Sequence, residues 1–307
     1  MQENQINESS GPDSVTWPPA HWVPPIMVLL LTVFTVVAGI LLGGLATLAL
    51  AWITGYDLNV VMASIAEDNT LIFRNLLRAS NLISHLFAFV GSSLAVAWWV
   101  FRKDWPRHMA LSSPVSWRSL GLSAVFMLLA LPWVQITYWL NRQWPLPSWM
   151  SDMESRTGTI IQALLVMDSP LELIFSLIVI ALIPALGEEL LFRGIIQQQF
   201  SRWLNKPTAA IWLTACLFSL IHFQFAGFLP RMLLGAGLGY LFVWTRSLWA
   251  PIVGHFAING VQVLALYLIG FDLEKADEQV NLMQLFLPGV LVLPLLWALS
   301  RILRRPV

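Results

Sequence analysis

The chain has 307 residues, 57% of them hydrophobic and only 11% charged, and its mean hydropathy is +0.71. Soluble domains carry about 25% charged residues, and a water-soluble fold of this length cannot hide so much apolar surface, so lipid is the expected solvent. The formal net charge of zero leaves no electrostatic case for nucleic acid as a partner, and the single cysteine, Cys216, makes neither an internal disulfide nor a cysteine metal site.

In chain order, residues 1–25 are polar and Pro-rich and contain no Lys or Arg. They read as a disordered tail and lack the basic start of a cleavable signal peptide. A membrane-spanning helix needs about 20 mostly apolar residues. Segments that qualify run over about 26–54, 81–101, 120–140, 171–187 (continuing helically past 187), 208–225, 229–244, 252–269 and 285–303. Residues 150–167, with Ile160, Ile161, Leu164 and Leu165 on one side, read as a short interfacial helix. The expected fold is thus all-α, a polytopic membrane bundle of about eight transmembrane helices.

With the N-terminus in the cytoplasm, the inside loops and tail collect Arg102, Lys103, Arg107, Arg118, Arg193, Arg202, Lys206, Arg246, Arg301, Arg304 and Arg305. They outnumber the outside set of Arg74, Arg78, Arg142, Arg156, Arg231 and Lys275. The positive-inside bias therefore places both termini in the cytoplasm, with the plasma (inner) membrane as the expected location. The outside loops are acidic, with Asp57, Glu67, Asp68, Asp152, Glu154, Asp272, Glu274, Asp277 and Glu278. Trp98, Trp99, Trp105, Trp144 and Trp149 fall at expected interfaces, where aromatic belts account for them. No internal repeat is visible, which weighs against an inverted-repeat transporter.

Ionisable groups inside apolar helices are costly and mark candidate sites. They concentrate in one third of this chain. In Pro184-Ala-Leu-Gly-Glu188-Glu189-Leu-Leu-Phe-Arg193, two adjacent carboxylates project about 100° apart on a helix. Glu189 and Arg193 are four residues apart and suited to pair, which leaves Glu188 for another use. His222 closes the run Phe218-Ser-Leu-Ile-His222, and His255 and Asn259 share one helix face across apolar residues. Alone, each has an ordinary structural reading: a solvated helix end, a packing histidine, an interhelical hydrogen bond. Together they bring Glu and His, the usual general acid/base pair, and Asn, a donor able to hold an oxyanion, onto three neighbouring helices. His-Glu-x-x-His and Gly-x-Ser-x-Gly are both absent.

Glu188-Glu189-x-x-x-Arg193, Phe218-x-x-x-His222 and His255-x-x-x-Asn259, in this order, resemble the three motifs of the CPBP family. That family includes type II CAAX prenyl endopeptidases and bacterial relatives linked to bacteriocin processing and immunity. Leu234-Gly235-x-Gly237-x-Gly239 and Ser247-Leu248-x-x-Pro251-Ile252 also look like the family's approach to its third motif. The resemblance implies a protease-like core over 170–265, between N-terminal helices over 26–169 and a last loop and helix over 266–307. It also implies a conical intramembrane catalytic cavity. Glu188 resembles the catalytic glutamate that activates water, with Glu189 and Arg193 in support. His222 resembles the histidine that shares that water, and His255 and Asn259 the pair that holds the oxyanion. Two descriptions stay open: a zinc site using Glu188, His222 and His255, or direct glutamate catalysis with no cofactor. The implied substrate is a membrane-associated protein or peptide. The alternative is a catalytically silent membrane scaffold or immunity protein that binds a peptide or a partner membrane protein.

Overall fold

A computed structural model describes residues 23–56, 70–270 and 282–304. The tail expected up to residue 25 lies outside the described residues as far as residue 22. So do the loop residues Asp57, Glu67, Asp68, Asp272, Glu274, Lys275, Asp277, Glu278 and the terminal Arg305.

Among the described residues all regular structure is helical. Helix α1 (Pro25–Thr54) starts on a proline, whose missing N–H costs nothing in a first turn. It ends on Gly55 in the left-handed conformation, at φ 73°. The helical run α2 (Leu71–His108) begins well before the expected start near residue 81. Its first turns carry Arg74 and Arg78, assigned above to an outside loop but buried in the structure. The reason is pairing: Arg74 reaches Asp168 at 2.6 Å and Glu172 at 3.0 Å, and Arg78 reaches Glu172 at 3.0 Å. Arg78 also donates to the Leu164 and Val166 carbonyls. Hydropathy stops at a charge, whereas a helix whose charges are matched continues.

Helix α3 (Trp117–Asn141) is capped by the Ser116 hydroxyl, which accepts from the Ser119 N–H at 3.1 Å. Its regular helix is interrupted at Ala130, two residues before Pro132. Helix α4 (Ser148–Leu165) is the short helix expected over 150–167. Helix α5 (Pro170–Leu204) follows as one run of 35 residues. After it come α6 (Pro207–Leu220), α7 (Phe228–Thr245), α8 (Trp249–Ile269) and α9 (Leu282–Leu303). Among the described residues seven helices are long and apolar enough to cross a membrane, and α6, at 14 residues, is shorter. The eight expected spans thus become seven and a short one, because the chain leaves α6 before His222.

The outer surface is apolar. Leu30, Val33, Phe34 and Leu41 on α1 and Val290, Leu291 and Trp297 on α9 are all more than half exposed. In water such faces would drive aggregation; against acyl chains they cost nothing. The chain is an integral membrane protein, a polytopic helical bundle.

Helix α5 is the centre of that bundle, packed against α1, α2, α6 and α8. Its approach to α2 depends on Gly187, where a Cβ would stand 2.9 Å from Phe89 Cβ and 3.0 Å from Val90 Cγ2. In the same way Gly235 of α7 admits Ala215 and Phe218 of α6. Between Leu177 and Leu182 α5 opens into π-helical turns, just before Pro184.

Candidate active site

The local register of α5 sets the site. Pro184 has no N–H, so it can serve neither the carbonyl four residues back, Ile180, nor the one five back, Val179. Carboxamides from two flanking helices supply the missing donors. Asn259 Nδ2 of α8 lies 3.4 Å from the Ile180 oxygen, and Asn81 Nδ2 of α2 lies 3.3 Å from the Val179 oxygen. One turn beyond Pro184 stand Glu188 and Glu189, both buried.

The division between the two carboxylates follows the expected pattern. Glu189 Oε1 accepts from Arg193 Nη1 at 2.7 Å. Arg193 is fully buried, donates through Nη2 to the Gly235 carbonyl at 2.6 Å, and lies over the Phe218 ring. The same Glu189 oxygen lies 2.8 Å from His255 Nδ1. An oxygen already accepting from a guanidinium accepts again here, so His255 donates its Nδ1–H and turns Nε2 the other way. That nitrogen is 3.8 Å from Glu188 Oε2. The arrangement is a relay of orientation: Arg193 holds Glu189, Glu189 holds His255, and His255 faces Glu188.

His222 stands in the turn just beyond α6, half-buried, rather than deep within a helix. Its Nδ1 is 2.7 Å from the Phe218 carbonyl and therefore donates to it, which leaves Nε2 as the free acceptor. Its level in the membrane agrees with that of Glu188. Glu188 lies about four helical turns before the end of α5 at Leu204, and His222 about four turns after Pro207 opens α6. The two depths match because α5 runs on to Leu204 before the chain turns back into α6 at Pro207. The turn bearing His222 is pinned by residues outside the motifs. Asn141 at the end of α3 donates to the Phe225 carbonyl and accepts from the Leu229 N–H, both at 2.8 Å. Glu154 of α4 accepts from the Ala226 N–H at 3.1 Å.

The structure therefore brings Glu188, Glu189, Arg193 and His255 into direct contact. Asn259 is on the same face of α8 but is engaged with the Ile180 carbonyl. A further histidine, His85 of α2, belongs to none of the motifs quoted above, yet its Nε2 is 3.4 Å from Glu188 Oε1. Its one sequence signal was a polar pair, Asn81 and His85, spaced like His255 and Asn259.

Whether the trio Glu188, His222 and His255 suits zinc is a question of where the donors point. Among the described residues no group of three His, Cys, Asp or Glu side chains is placed to hold one metal ion. Glu188 presents one oxygen to His85 and the other to His255, so its lone pairs are directed at rings rather than at a common centre. The residues do not form a ready metal cage.

A segment of 109 residues, 34% of this chain, is 27% identical to the uncharacterised protein YpbD of Bacillus subtilis (strain 168). The match spans about half of that relative's length, 53%. No solved structure matches at a comparable level. Residues 170–261, which hold Glu188, Glu189, Arg193, His222, His255 and Asn259, match the family described as type II CAAX prenyl endopeptidase Rce1-like.

Proposed function

We propose that this protein is an intramembrane endopeptidase in which Glu188 activates water for attack on a peptide bond. The observation that carries this reading is a buried carboxylate with an imidazole nitrogen facing each of its oxygens, one of those rings being held in place by a second, arginine-paired carboxylate. Such an arrangement orients a base without neutralising it with a guanidinium.

Water sits between Glu188 and His222, whose free Nε2 accepts one of its hydrogens. The oxygen attacks the scissile carbonyl carbon, and the other proton passes to the pair formed by Glu188 Oε2 and His255 Nε2. Asn259 spends one amide hydrogen on the Ile180 carbonyl and keeps one for the developing oxyanion, beside His255. Collapse of the tetrahedral species breaks the C–N bond, and the departing amine takes the proton held by Glu188 and His255. Each oxyanion donor of this kind contributes about 3–4 kcal/mol to catalysis. The substrate is a membrane-associated protein or peptide, because the catalytic segment lies within apolar helices.

The proposed placement is the plasma (inner) membrane with both termini cytoplasmic. Of the outside cations Arg74 and Arg78 are buried in ion pairs. Of the inside set Arg193 is buried. The loop charges that remain still favour this orientation.

Purified protein in liposomes, challenged with a library of membrane-anchored peptides, tests the reading. Glu188→Gln should be folded and should lose cleavage by at least about a hundredfold. Cleavage by the Gln variant at the wild-type rate would remove Glu188 from the mechanism, and the absence of any cleavage by wild type would favour a peptide-binding scaffold.

A further inference from the structure

The N-terminal helices lie outside the Rce1-like segment, yet one of them enters the site. On α2, Asn81 and His85 are one turn apart on one face, as His255 and Asn259 are on α8. The two pairs grip α5 from opposite partners in the same way. Each asparagine donates to one of the two adjacent carbonyls released at Pro184, and each histidine faces one oxygen of Glu188.

The protons on His85 follow from its neighbours. His85 Nδ1 is 3.1 Å from the Asn81 backbone carbonyl, which can only accept, so Nδ1 carries a hydrogen. His85 Nε2 is 3.4 Å from Glu188 Oε1, and two lone pairs would repel there, so a proton lies between them. The contact is at the long end of the range, as such contacts often are before substrate binds. The ring is further held by stacking on Phe89 at 5.1 Å.

We infer that His85, set by Asn81, is a positioning residue for Glu188. It donates Nε2–H to Oε1 and so leaves Oε2, turned towards His255, as the oxygen that receives the proton from water. This rests on the proposed role of Glu188 as base. It assigns a site residue to the half of the chain that carries none of the three motifs.

Two measurements on the full-length protein in bilayers decide it. The first needs no turnover: nitrogen-15 spectra of histidine-labelled protein, with the His85 signals identified by their loss in His85→Phe. Both His85 ring nitrogens should appear protonated, and Glu188→Gln should convert Nε2 to the unprotonated form. A neutral His85 in wild type, or one indifferent to Glu188→Gln, overturns the inference whether or not any peptide is cleaved. The second is the kinetics of His85→Phe, which keeps the stack on Phe89. Its kcat should fall about a hundredfold, the scale of a misplaced catalytic group, with KM unchanged and the melting temperature near that of wild type. An unaltered kcat in a folded variant overturns the inference. If cleavage fails in wild type, or survives Glu188→Gln, the fault lies with the proposed function, and the spectra still decide the contact.

Discussion

Two adjacent glutamates of identical chemistry are made different by what touches them. Glu189 is fully buried against Arg193 and His255, whereas Glu188 meets only rings. The Arg193 pair is therefore architectural, and its removal should be read in stability before activity. Arg193→Met leaves Glu189 as a buried charge without its partner, a change that costs about 3–5 kcal/mol. The variant should melt markedly lower in detergent, or fail to accumulate. A stable Arg193→Met protein with an unchanged melting temperature would show that the Arg193–Glu189 pair does not hold the fold together.

At the scale of elements, the register of α5 against its neighbours matters more than any single contact. Gly187 lets α2 lie directly on α5, and the same closeness brings His85 to Glu188. Gly187→Val would drive a side chain into Phe89 Cβ and Val90 and must part the helices, a strain of about 1–3 kcal/mol in a packed interior. The expected outcome is a folded protein with a modestly lowered melting temperature and a disproportionate loss of kcat. Activity retained alongside a lowered melting temperature would separate the packing of α2 from the chemistry. The π-helical turns at Leu177–Leu182 are a second device of this kind. They turn the missing N–H of Pro184 into anchoring points for Asn81 and Asn259, so that one irregularity in α5 sets the rotation of two helices.

For the whole molecule, the N-terminal helices complete the proposed site, whose recognisable motifs all lie between 170 and 261. Besides His85, Asn141 and Glu154 pin the turn that carries His222. The ion cluster of Arg74, Arg78, Asp168 and Glu172 ties α2 and the end of α4 to the start of α5. Residues 170–261 expressed alone should therefore insert in membranes without activity, even with every motif residue present. Reporter fusions on the full chain test its orientation. Cysteines placed in the loop near Arg246 and at the C-terminus should be labelled from the cytoplasmic side, and one near Trp144 from the other. Labelling of all three from one side would refute the proposed topology.

The membrane class and the helices were legible because they depend on local composition: runs of about 20 apolar residues have few other uses. So was the pairing of Glu189 with Arg193, since four residues on a helix put two side chains side by side whatever surrounds them. His255 and Asn259 were legible for the same reason. The early start of α2 was not, because its arginines are neutralised by Glu172 and Asp168, about ninety positions further on. Nor was the depth of His222, which depends on how far α5 runs before the chain turns back into α6. His85 was hidden most completely: its contact with Glu188 crosses 103 positions and exists only because Gly187 has no side chain where the two helices meet. Sequence spacing determines what one helix presents on a face, while the partner of that face is chosen by packing, which only the tertiary structure decides.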